Sequence, residues 1–313
     1  MALLLVLALA FPQAILRAPD PAPSLPAGIS AEAWLIYDDS YDLEIASFRA
    51  DRSAPMASTT KLMTALLVVE NADLDDEVSI SRRAQATGHK QIYARQGETW
   101  AVGELLEAVM VVSANDAAVA LAEHVGGSVG EFVELMNERA SELGLNDTSY
   151  ANPHGLDAGG QYTSARDLLT LAREVMTHST LASMALRQEA LLVRGDGTTQ
   201  RRESTNELLG WFPGAIGVKT GWTTGAGDVL VAAAERDGRR LYAVVMGSTD
   251  ANADASRLLE YGFTVFGTAE RRLVPLMEDR RLARALRATL SEDVVARLAH
   301  LRGLDKREEA PWE

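Results

Sequence analysis

Two polar side chains near the start of the chain have the types and the spacing to act together. Ser58 and Lys61 are three residues apart in the stretch ASTTKLMTA, where a helical pattern begins. Side chains three apart are neighbours on one face of a helix. Because a serine hydroxyl is a weak nucleophile until a base takes its proton, the spacing favours a serine nucleophile with a lysine base. Taken alone, the same letters also describe an ordinary helix start.

The chain uses lysine sparingly. Its lysines are Lys61, Lys90, Lys219 and Lys306, and its other cations are arginines. Arginine does not deprotonate in proteins, whereas lysine can do so when burial or neighbouring cations lower its pKa from about 10.4. The choice of lysine at position 61 is therefore consistent with a base that must lose its proton before it acts.

A second candidate motif is SAND, Ser113 to Asp116, between two helical runs. A serine and an asparagine on a loop between helices can project into a cleft, where they pass protons or hold a substrate amide. Taken alone, Ser113 or Asn115 is more simply interpreted as the cap of the following helix. A further Ser-x-Asn at 204–206 adjoins strand-like sequence and is the weaker candidate.

A third motif, Lys-Thr-Gly, lies in the strand-like run IGVKTGW. Lys219 would place a cation beside a bound carboxylate, with Thr220 next to it. Gly221 has no side chain, so it would allow the substrate backbone to approach the strand edge. Without partners, these three residues would be no more than a strand followed by a turn.

The order Ser-x-x-Lys, Ser-x-Asn, Lys-Thr-Gly is the signature of the penicilloyl-serine transferases. From about residue 30 to residue 266, the chain resembles the serine-type D-alanyl-D-alanine carboxypeptidases, which are low-molecular-mass penicillin-binding proteins. The stretches that carry the resemblance are PMASTTKLMTALL, VVSANDAAVALAE, LGLNDTSYANPHGLD, YTSARDLL, IGVKTGWTTGAGDVLVAAAERDG and LLEYGF.

The resemblance implies a catalytic role for three residues. Ser58 would be the acylated nucleophile, Lys61 its base, and Ser113 the relay that brings a proton to the leaving D-alanine. The implied reaction is acylation by the penultimate D-Ala carbonyl of a peptidoglycan stem peptide, release of D-Ala, and hydrolysis by water. β-Lactam antibiotics would be inhibitors, and no cofactor is implied.

The resemblance also implies how the substrate would be bound. Asn115 would hold the substrate amide, and Lys219 with Thr220 would bind the terminal carboxylate. The backbone amides of Ser58 and Trp222 would form the oxyanion hole, and the tryptophan replaces the expected tyrosine or histidine without loss because only its amide is used. Relatives often carry an arginine before the closing helix that aids carboxylate binding, and this chain has Ala251 there.

The sequence pattern predicts an α+β fold, because strand-like runs at both ends bracket a helical middle. The resemblance implies a five-stranded antiparallel sheet flanked by helices, with a helical subdomain that carries SAND. Four segments are expected. They are a signal-like apolar segment over 1–16, a Pro-rich linker over 17–28, a catalytic domain over 29–266 and a short helical C-terminal extension over 267–313.

The first and last segments bear on location. The apolar run 2–11 is shorter than the roughly 20 residues of a membrane span and suits a secretory signal. It predicts export to the periplasm or the outer face of the cytoplasmic membrane. The pattern of the C-terminal extension predicts an amphipathic helix that carries arginines. Weak membrane association and docking on the protein body are both open for this helix. Docking is favoured because the apolar face of the helix lacks aromatic residues.

Composition excludes several classes of function. The net charge of −14 argues against a general nucleic-acid binder. The chain has no cysteine, and its five histidines are scattered, so no metal site is predicted. His154, in the stretch NPHGLD, is expected to be a structural turn residue.

Two rivals share the motifs. A serine β-lactamase would add Glu-x-x-Leu-Asn, and the chain has ELGLN at 142–146, which is interpreted as coincidental because it runs into carboxypeptidase-like sequence. A catalytically inactive homologue that binds cell-wall peptide is the other alternative. It is disfavoured because a binding protein has no need for a base at Lys61.

Overall fold

The computed structural model describes residues 25–40 and 42–278. The chain divides into two units. One is Gly28–Gly262, and the other combines Met1–Ala27 with Phe263–Glu313. The candidate residues of all three motifs belong to the first unit. The signal-like segment, most of the linker and most of the C-terminal extension lie outside the described residues, so those assignments stay predictions.

Strands from both ends of the first unit form its central sheet. Within the described residues, five strands pair antiparallel in the order β2-β1-β9-β8-β7. The strands in chain order are β1 (Ala33–Asp38), β2 (Leu43–Phe48), β3 (Glu77–Ser79), β4 (Thr99–Ala101), β5 (Glu189–Val193), β6 (Thr199–Glu203), β7 (Ala215–Thr223), β8 (Gly227–Arg236) and β9 (Arg239–Ser248). The strands β3 with β4, and β5 with β6, form two small separate sheets. This confirms the predicted α+β class and the five-stranded antiparallel sheet.

The helices fill the middle of the chain and close it. They are α1 (Lys61–Asn71), α2 (Arg82–Ala86), α3 (Val102–Glu107), α4 (Asn115–Gly126), α5 (Val129–Glu142), α6 (Ala165–Val175), α7 (Ser179–Ala185), α8 (Leu208–Trp211) and α9 (Ala251–Glu278). The first eight residues of α1 are all buried, including its polar ones. A helix buried on every side belongs to the core, and α1 contacts α4 and α6 there. The residue that begins α1 is Lys61, which places the predicted base at the edge of the core.

Local signals in the sequence account for several boundaries. Asp237 and Gly238 join β8 to β9, and both have positive φ angles of 52° and 74°. Two such residues make the tight turn whose twist matches an antiparallel hairpin. The side chain of Ser164 accepts a hydrogen bond from the amide of Asp167 at the start of α6. Residues adjacent in the sequence thus account for both the hairpin turn and the start of α6.

The helical run before SAND differs from expectation. Residues Ala108–Val112 form a π-helix that ends at Ser113, whose backbone is left-handed with φ 65°. The residue that caps α4 is Ala114, and no side chain makes a capping hydrogen bond there. The simple interpretation of Ser113 or Asn115 as a helix cap is therefore wrong. The Asn115 side chain bonds Lys61 and Gly88 instead, and the Ser113 hydroxyl has no partner among the described residues.

Candidate active site

Ser58 and Lys61 meet at the point where the chain enters α1. Ser58 lies in a short 3-10 turn, Ala57–Thr60, which continues directly into the helix. The Lys61 Nζ lies 2.9 Å from the Ser58 Oγ, as their spacing predicted. The lysine is fully buried and the serine is partly exposed. The hydroxyl is thus open to a substrate while its neighbour is held inside the protein.

The other partners of Lys61 determine which way a proton can move. Its Nζ donates to the Asn115 Oδ1 at 2.7 Å and to the backbone carbonyl of His154. Both of these oxygens only accept hydrogen bonds, so they occupy two N–H groups of the amine. In the neutral form, the remaining position is a lone pair that faces the Ser58 Oγ. The hydroxyl can then donate its proton to the nitrogen.

Burial and charge favour that neutral form. Burial is the largest cause that lowers the pKa of Lys61 well below its usual value, and the positive charges of Lys219 and Lys90 add to it. Desolvation disfavours the charged amine, and nearby cations disfavour it further. The electrostatic environment therefore matches the role of a base.

Two glycines let the surrounding backbone close around Ser58. A Cβ on Gly221 of β7 would lie 2.8 Å from the Ser58 amide nitrogen, and one on Gly155 would lie 1.9 Å from the Ala57 carbonyl oxygen. The absent side chain of Gly221 was predicted to leave space for a substrate backbone. The turn that carries Ser58 fills part of that space. This contact brings the amide of Ser58 next to the strand that carries the amide of Trp222. Those are the two amides predicted to form an oxyanion hole.

The Asn115 side chain is held on two sides. Its Oδ1 accepts from Lys61, and its Nδ2 donates to the Gly88 carbonyl at 2.9 Å. An amide nitrogen carries two hydrogens, and no described residue accepts the second. Its own backbone amide donates to the Lys90 carbonyl at 2.8 Å. Asn115 is therefore fixed in place with one N–H group left to bind a substrate carbonyl.

Ser113 is fully buried, and its hydroxyl has no hydrogen-bond partner within the described part of the chain. Its left-handed backbone adds strain of about 1–2 kcal/mol for a residue with a side chain. Buried polar groups are normally paired, and unpaired ones together with strained backbone cluster at functional sites. The predicted proton relay is thus a strained, unsatisfied hydroxyl on the motif that also carries Asn115.

The Lys-Thr-Gly motif lies on β7 as predicted. Lys219 is buried, and burial, followed by the charge of Lys90, lowers its pKa to about 7. The Thr220 Oγ1 donates to the Thr205 Oγ1 at 2.7 Å, which orients the threonine hydroxyl. Ala251 begins α9 and does not line the cavity at the site. Thr205 belongs to the 204–206 stretch that the sequence ranked as a weaker motif.

A cavity of about 580 Å³ opens over Ser58. Its lining residues come from the nucleophile turn, from the segment after α2, from the start of α4, from the turn after His154, and from β7 with the residue after it. They are Ser58, His89, Lys90, Asn115, Leu156, Asp157 and residues 220–224. Residues from all three motifs therefore line one cavity, whereas the predicted relay Ser113 is buried beside Asn115. Glu142 does not line the cavity, and its carboxylate pairs with Arg139 at 3.1 Å, which supports the interpretation of ELGLN as coincidental.

His154 has a structural and electrostatic role. Its Nδ1 accepts from the Leu156 amide at 3.2 Å, which is the turn contact that the sequence predicted. Burial and then the charge of Lys61 lower its pKa to about 4, so its ring is neutral at pH 7. What sequence reasoning missed is its carbonyl, which orients Lys61. Only the fold can reveal a backbone contact between residues so far apart in the chain.

Asp116 fixes the segment that lines the cavity beside Asn115. Its buried carboxylate accepts hydrogen bonds from the amides of Ile92 and Ala94, each at 3.1 Å, and from Ala117 at 3.0 Å. Burial raises its pKa, although these backbone hydrogen bonds act in the opposite direction. The segment that carries His89 and Lys90 is thereby tied to α4. Neither of these residues was singled out for the site from the sequence.

One group of side chains outside the cavity has the types that bind metals. Glu70, Glu174 and His178 place ligand atoms within 4.8 Å of one another. However, Arg139 pairs with Glu70 at 2.7 Å and with Glu174 at 3.3 Å. Both carboxylates already bond the same guanidinium, so the group forms part of an ion-pair network.

Comparison with known proteins agrees with this geometry. Residues 20–250 match the peptidase S11 family, described as D-alanyl-D-alanine carboxypeptidase. DacF of Bacillus subtilis, a D-alanyl-D-alanine carboxypeptidase, is 38% identical over 226 residues, which cover 70% of this chain and 58% of the relative. DacC of Escherichia coli, which bears the same enzyme name, is 34% identical over 256 residues, which cover 77% and 63%. The chain thus spans less than two thirds of the length of both relatives.

A solved structure extends the likeness to three dimensions. The crystal structure of the Streptomyces K15 DD-transpeptidase matches with a TM-score of 0.72 and 31% identity, over 76% of this chain and 98% of that one. The family match covers most of the chain, and the three motifs meet within that region. The chain therefore belongs to the D-alanyl-D-alanine carboxypeptidase family of serine peptidases, peptidase S11.

Proposed function

We propose that the protein removes the terminal D-alanine from peptidoglycan stem peptides through an acyl-enzyme on Ser58. The observation that carries this proposal is the environment of Lys61. Its Nζ has two obligate acceptors, and its third neighbour is a partly exposed serine hydroxyl. A peptide-binding module would have no use for a buried lysine with a lowered pKa at that position. The family membership of the chain supports the same activity.

In the acylation step, the neutral Lys61 takes the proton of Ser58 as the Oγ forms a bond to the carbonyl carbon of the penultimate D-Ala. The amides of Ser58 and Trp222 bind the negative charge on the carbonyl oxygen. The bond from that carbon to the nitrogen of the terminal D-Ala then breaks. Ser113 relays the proton held by Lys61 to that nitrogen, which leaves Lys61 neutral again, and D-alanine leaves. Water later attacks the ester, which restores the Ser58 hydroxyl and releases the shortened peptide.

Substrate binding follows from the two edges of the cavity. Lys219 binds the terminal carboxylate by its charge. The Thr220 hydroxyl turns from Thr205 to the substrate and donates a hydrogen bond to the same carboxylate. Asn115 donates its remaining N–H to a carbonyl on the acyl side of the scissile bond. Without arginine at Ala251, the charge of Lys219 has the larger share in carboxylate recognition.

The proposed substrate lies outside the cytoplasm. The signal-like segment supports export to the periplasm or to the outer face of the membrane. Across residues 25–40 and 42–278, no helix has the length and apolar character to cross a bilayer. Weak membrane association through either terminal segment stays a prediction. The β-lactam antibiotics, which carry a strained amide in place of the scissile bond, are the proposed inhibitors.

The activity is tested with a stem-peptide mimic that ends in D-Ala-D-Ala and with a labelled penicillin. The unmodified protein is expected to release D-alanine and to form a long-lived penicilloyl adduct, and Ser58→Ala should abolish both because it removes the attacking oxygen. Fast penicillin turnover without an adduct would identify a β-lactamase. Binding of the peptide without release would identify an inactive homologue. Transfer of the acyl group to an added D-amino acid would reveal transpeptidation in addition.

The dependence on pH is a second prediction. The value of kcat/KM for D-alanine release is expected to fall above pH about 7, because Lys219 must be protonated to bind the carboxylate and its pKa is about 7. At acidic pH the rate should fall because Lys61 becomes protonated, which gives a bell-shaped profile. Lys219→Arg should remove the decline at high pH because arginine stays charged. A decline that persists unchanged in this variant would assign it to another group.

A further inference from the structure

Lys90 is a cation of the cavity for which the proposed reaction gives no role. It lines the cavity together with Asn115 and is exposed at the opening. Of the four lysines in this acidic chain, Lys61, Lys90 and Lys219 converge on the one site. In the proposed reaction, Lys61 acts as the base and Lys219 binds the terminal carboxylate. Lys90 has no assigned role.

The Lys90 ammonium has no counter-ion among the residues that the structure describes. It forms no ion pair with any of them, and its charge lowers the pKa values of both Lys61 and Lys219. Asp157 also lines the cavity, but its carboxylate accepts hydrogen bonds from Thr223 at 2.7 Å and from the Gly225 amide at 3.1 Å. An ammonium held beside two other amines without a counter-charge is suited to an anion that arrives with the ligand.

The position of Lys90 indicates which part of the substrate it faces. The terminal carboxylate of the substrate is bound at β7 by Lys219 and Thr220. The carbonyl of Lys90 accepts the backbone amide of Asn115, whose side chain holds the acyl side of the scissile bond. Lys90 is therefore attached to the segment that borders the acyl part of the substrate, away from the leaving D-alanine.

We propose that Lys90 is a substrate-binding residue that selects stem peptides with a free carboxylate on the side chain of the residue before the two D-alanines. This inference rests on the proposed carboxypeptidase activity. The ammonium pairs with that second carboxylate at the opening of the cavity while the terminal carboxylate is held by Lys219. The two anions of the substrate thus meet separate lysines.

Two peptides that differ by one carboxymethyl group, and therefore by one negative charge, test this proposal. They are Nα-acetyl-Nε-acetyl-L-lysyl-D-Ala-D-Ala and its Nε-succinyl counterpart. The quantity measured is the ratio of kcat/KM for the succinyl peptide to that for the acetyl peptide. Within one variant, this ratio cancels any general effect of the substitution on the pKa of Lys61. We expect the unmodified protein to prefer the succinyl peptide by about two- to fivefold, the range of an exposed ion pair.

Lys90→Gln is expected to bring the ratio to about one, and Lys90→Glu to invert it. The matched control is Arg95→Gln, which removes an exposed cation from the same segment but outside the cavity and should leave the preference unchanged. The preference should weaken with added salt because screening acts on exposed pairs.

Equal ratios in the unmodified protein and in both Lys90 variants would overturn the proposal, even if the pH profile moves, because Lys90 would then act only on the neighbouring amines. A preference that Arg95→Gln abolishes equally would also overturn it, since the effect would be one of overall charge. If neither peptide is hydrolysed, the carboxypeptidase activity itself fails and this inference fails with it. If both peptides are hydrolysed at equal rates, only the proposed role of Lys90 is contradicted, and the carboxypeptidase activity stands.

Discussion

Lys61→Arg is expected to reduce the rate of acylation by about 10³-fold or more, because arginine keeps the positive charge but does not give up its proton. The substitution separates two roles that lysine can have. If position 61 only supplied a cation near Ser58, arginine would serve. Burial and the neighbouring cations instead lower the pKa of Lys61, and in its neutral form the Nζ directs a lone pair to the hydroxyl.

The measurement is the rate at which a labelled penicillin acylates Ser58, together with D-alanine release from the peptide. Lys219→Arg is the matched control, since it makes the same change at a second buried lysine where charge alone is proposed to act. It should retain far more activity than Lys61→Arg. Thermal unfolding of both variants checks that the larger side chain is tolerated. Acylation of Lys61→Arg at near the unmodified rate would exclude lysine as the base.

Gly155→Ala is expected to have the second large effect. The backbone of Gly155 has φ +90°, and an added Cβ would lie 1.9 Å from the Ala57 oxygen and 3.0 Å from the Ser58 Cα. No side-chain rotation relieves a clash between a Cβ and backbone. We expect the free energy of unfolding to fall by about 3 kcal/mol or more, from the clash and the backbone strain together. The fraction of the Gly155→Ala variant that still folds should be acylated at least about 100-fold more slowly than the unmodified protein, because Ser58 is displaced.

Two nearby glycines separate the causes. Gly160 has φ +81° but no atom within 4 Å of an added Cβ, so Gly160→Ala should show the backbone cost alone, about 1–2 kcal/mol. Gly159 lacks both features, and Gly159→Ala should be nearly neutral. Chemical denaturation gives the stabilities and penicillin labelling gives the acylation rates. Equal effects at 155 and 160 would show that the close approach to Ala57 is unimportant.

The parts of the fold that depend on neighbours in sequence could be predicted. The hairpin turn at Asp237-Gly238, the cap at Ser164 and the shared face of Ser58 and Lys61 are local, because two to four residues determine each of them. The motif order supplied the rest of the site by resemblance. The simpler interpretation of SAND taken alone, a helix cap, does not hold, because the Asn115 side chain bonds Lys61 and Gly88 from distant parts of the chain.

What could not be predicted depends on contacts between distant segments. Thr205 reaches Thr220, and the His154 carbonyl reaches Lys61 across 93 residues of chain. Lys90 stands in unremarkable sequence, and its importance follows only from the cavity that it lines. A signal was present in the composition, because a chain that favours arginine uses lysine at three positions that the fold brings together.

The way in which Asp116 holds its neighbours has a consequence for how such an enzyme changes over generations. Its carboxylate and the amide of Asn115 bind the preceding segment through main-chain groups at residues 90, 92 and 94. The side chains at positions 89 and 90 take no part in this anchoring. Mutation can therefore replace them without moving Asn115 or the lysine that it orients. Substrate preference can drift at these two positions while the main-chain contacts that position Asn115 are inherited unchanged.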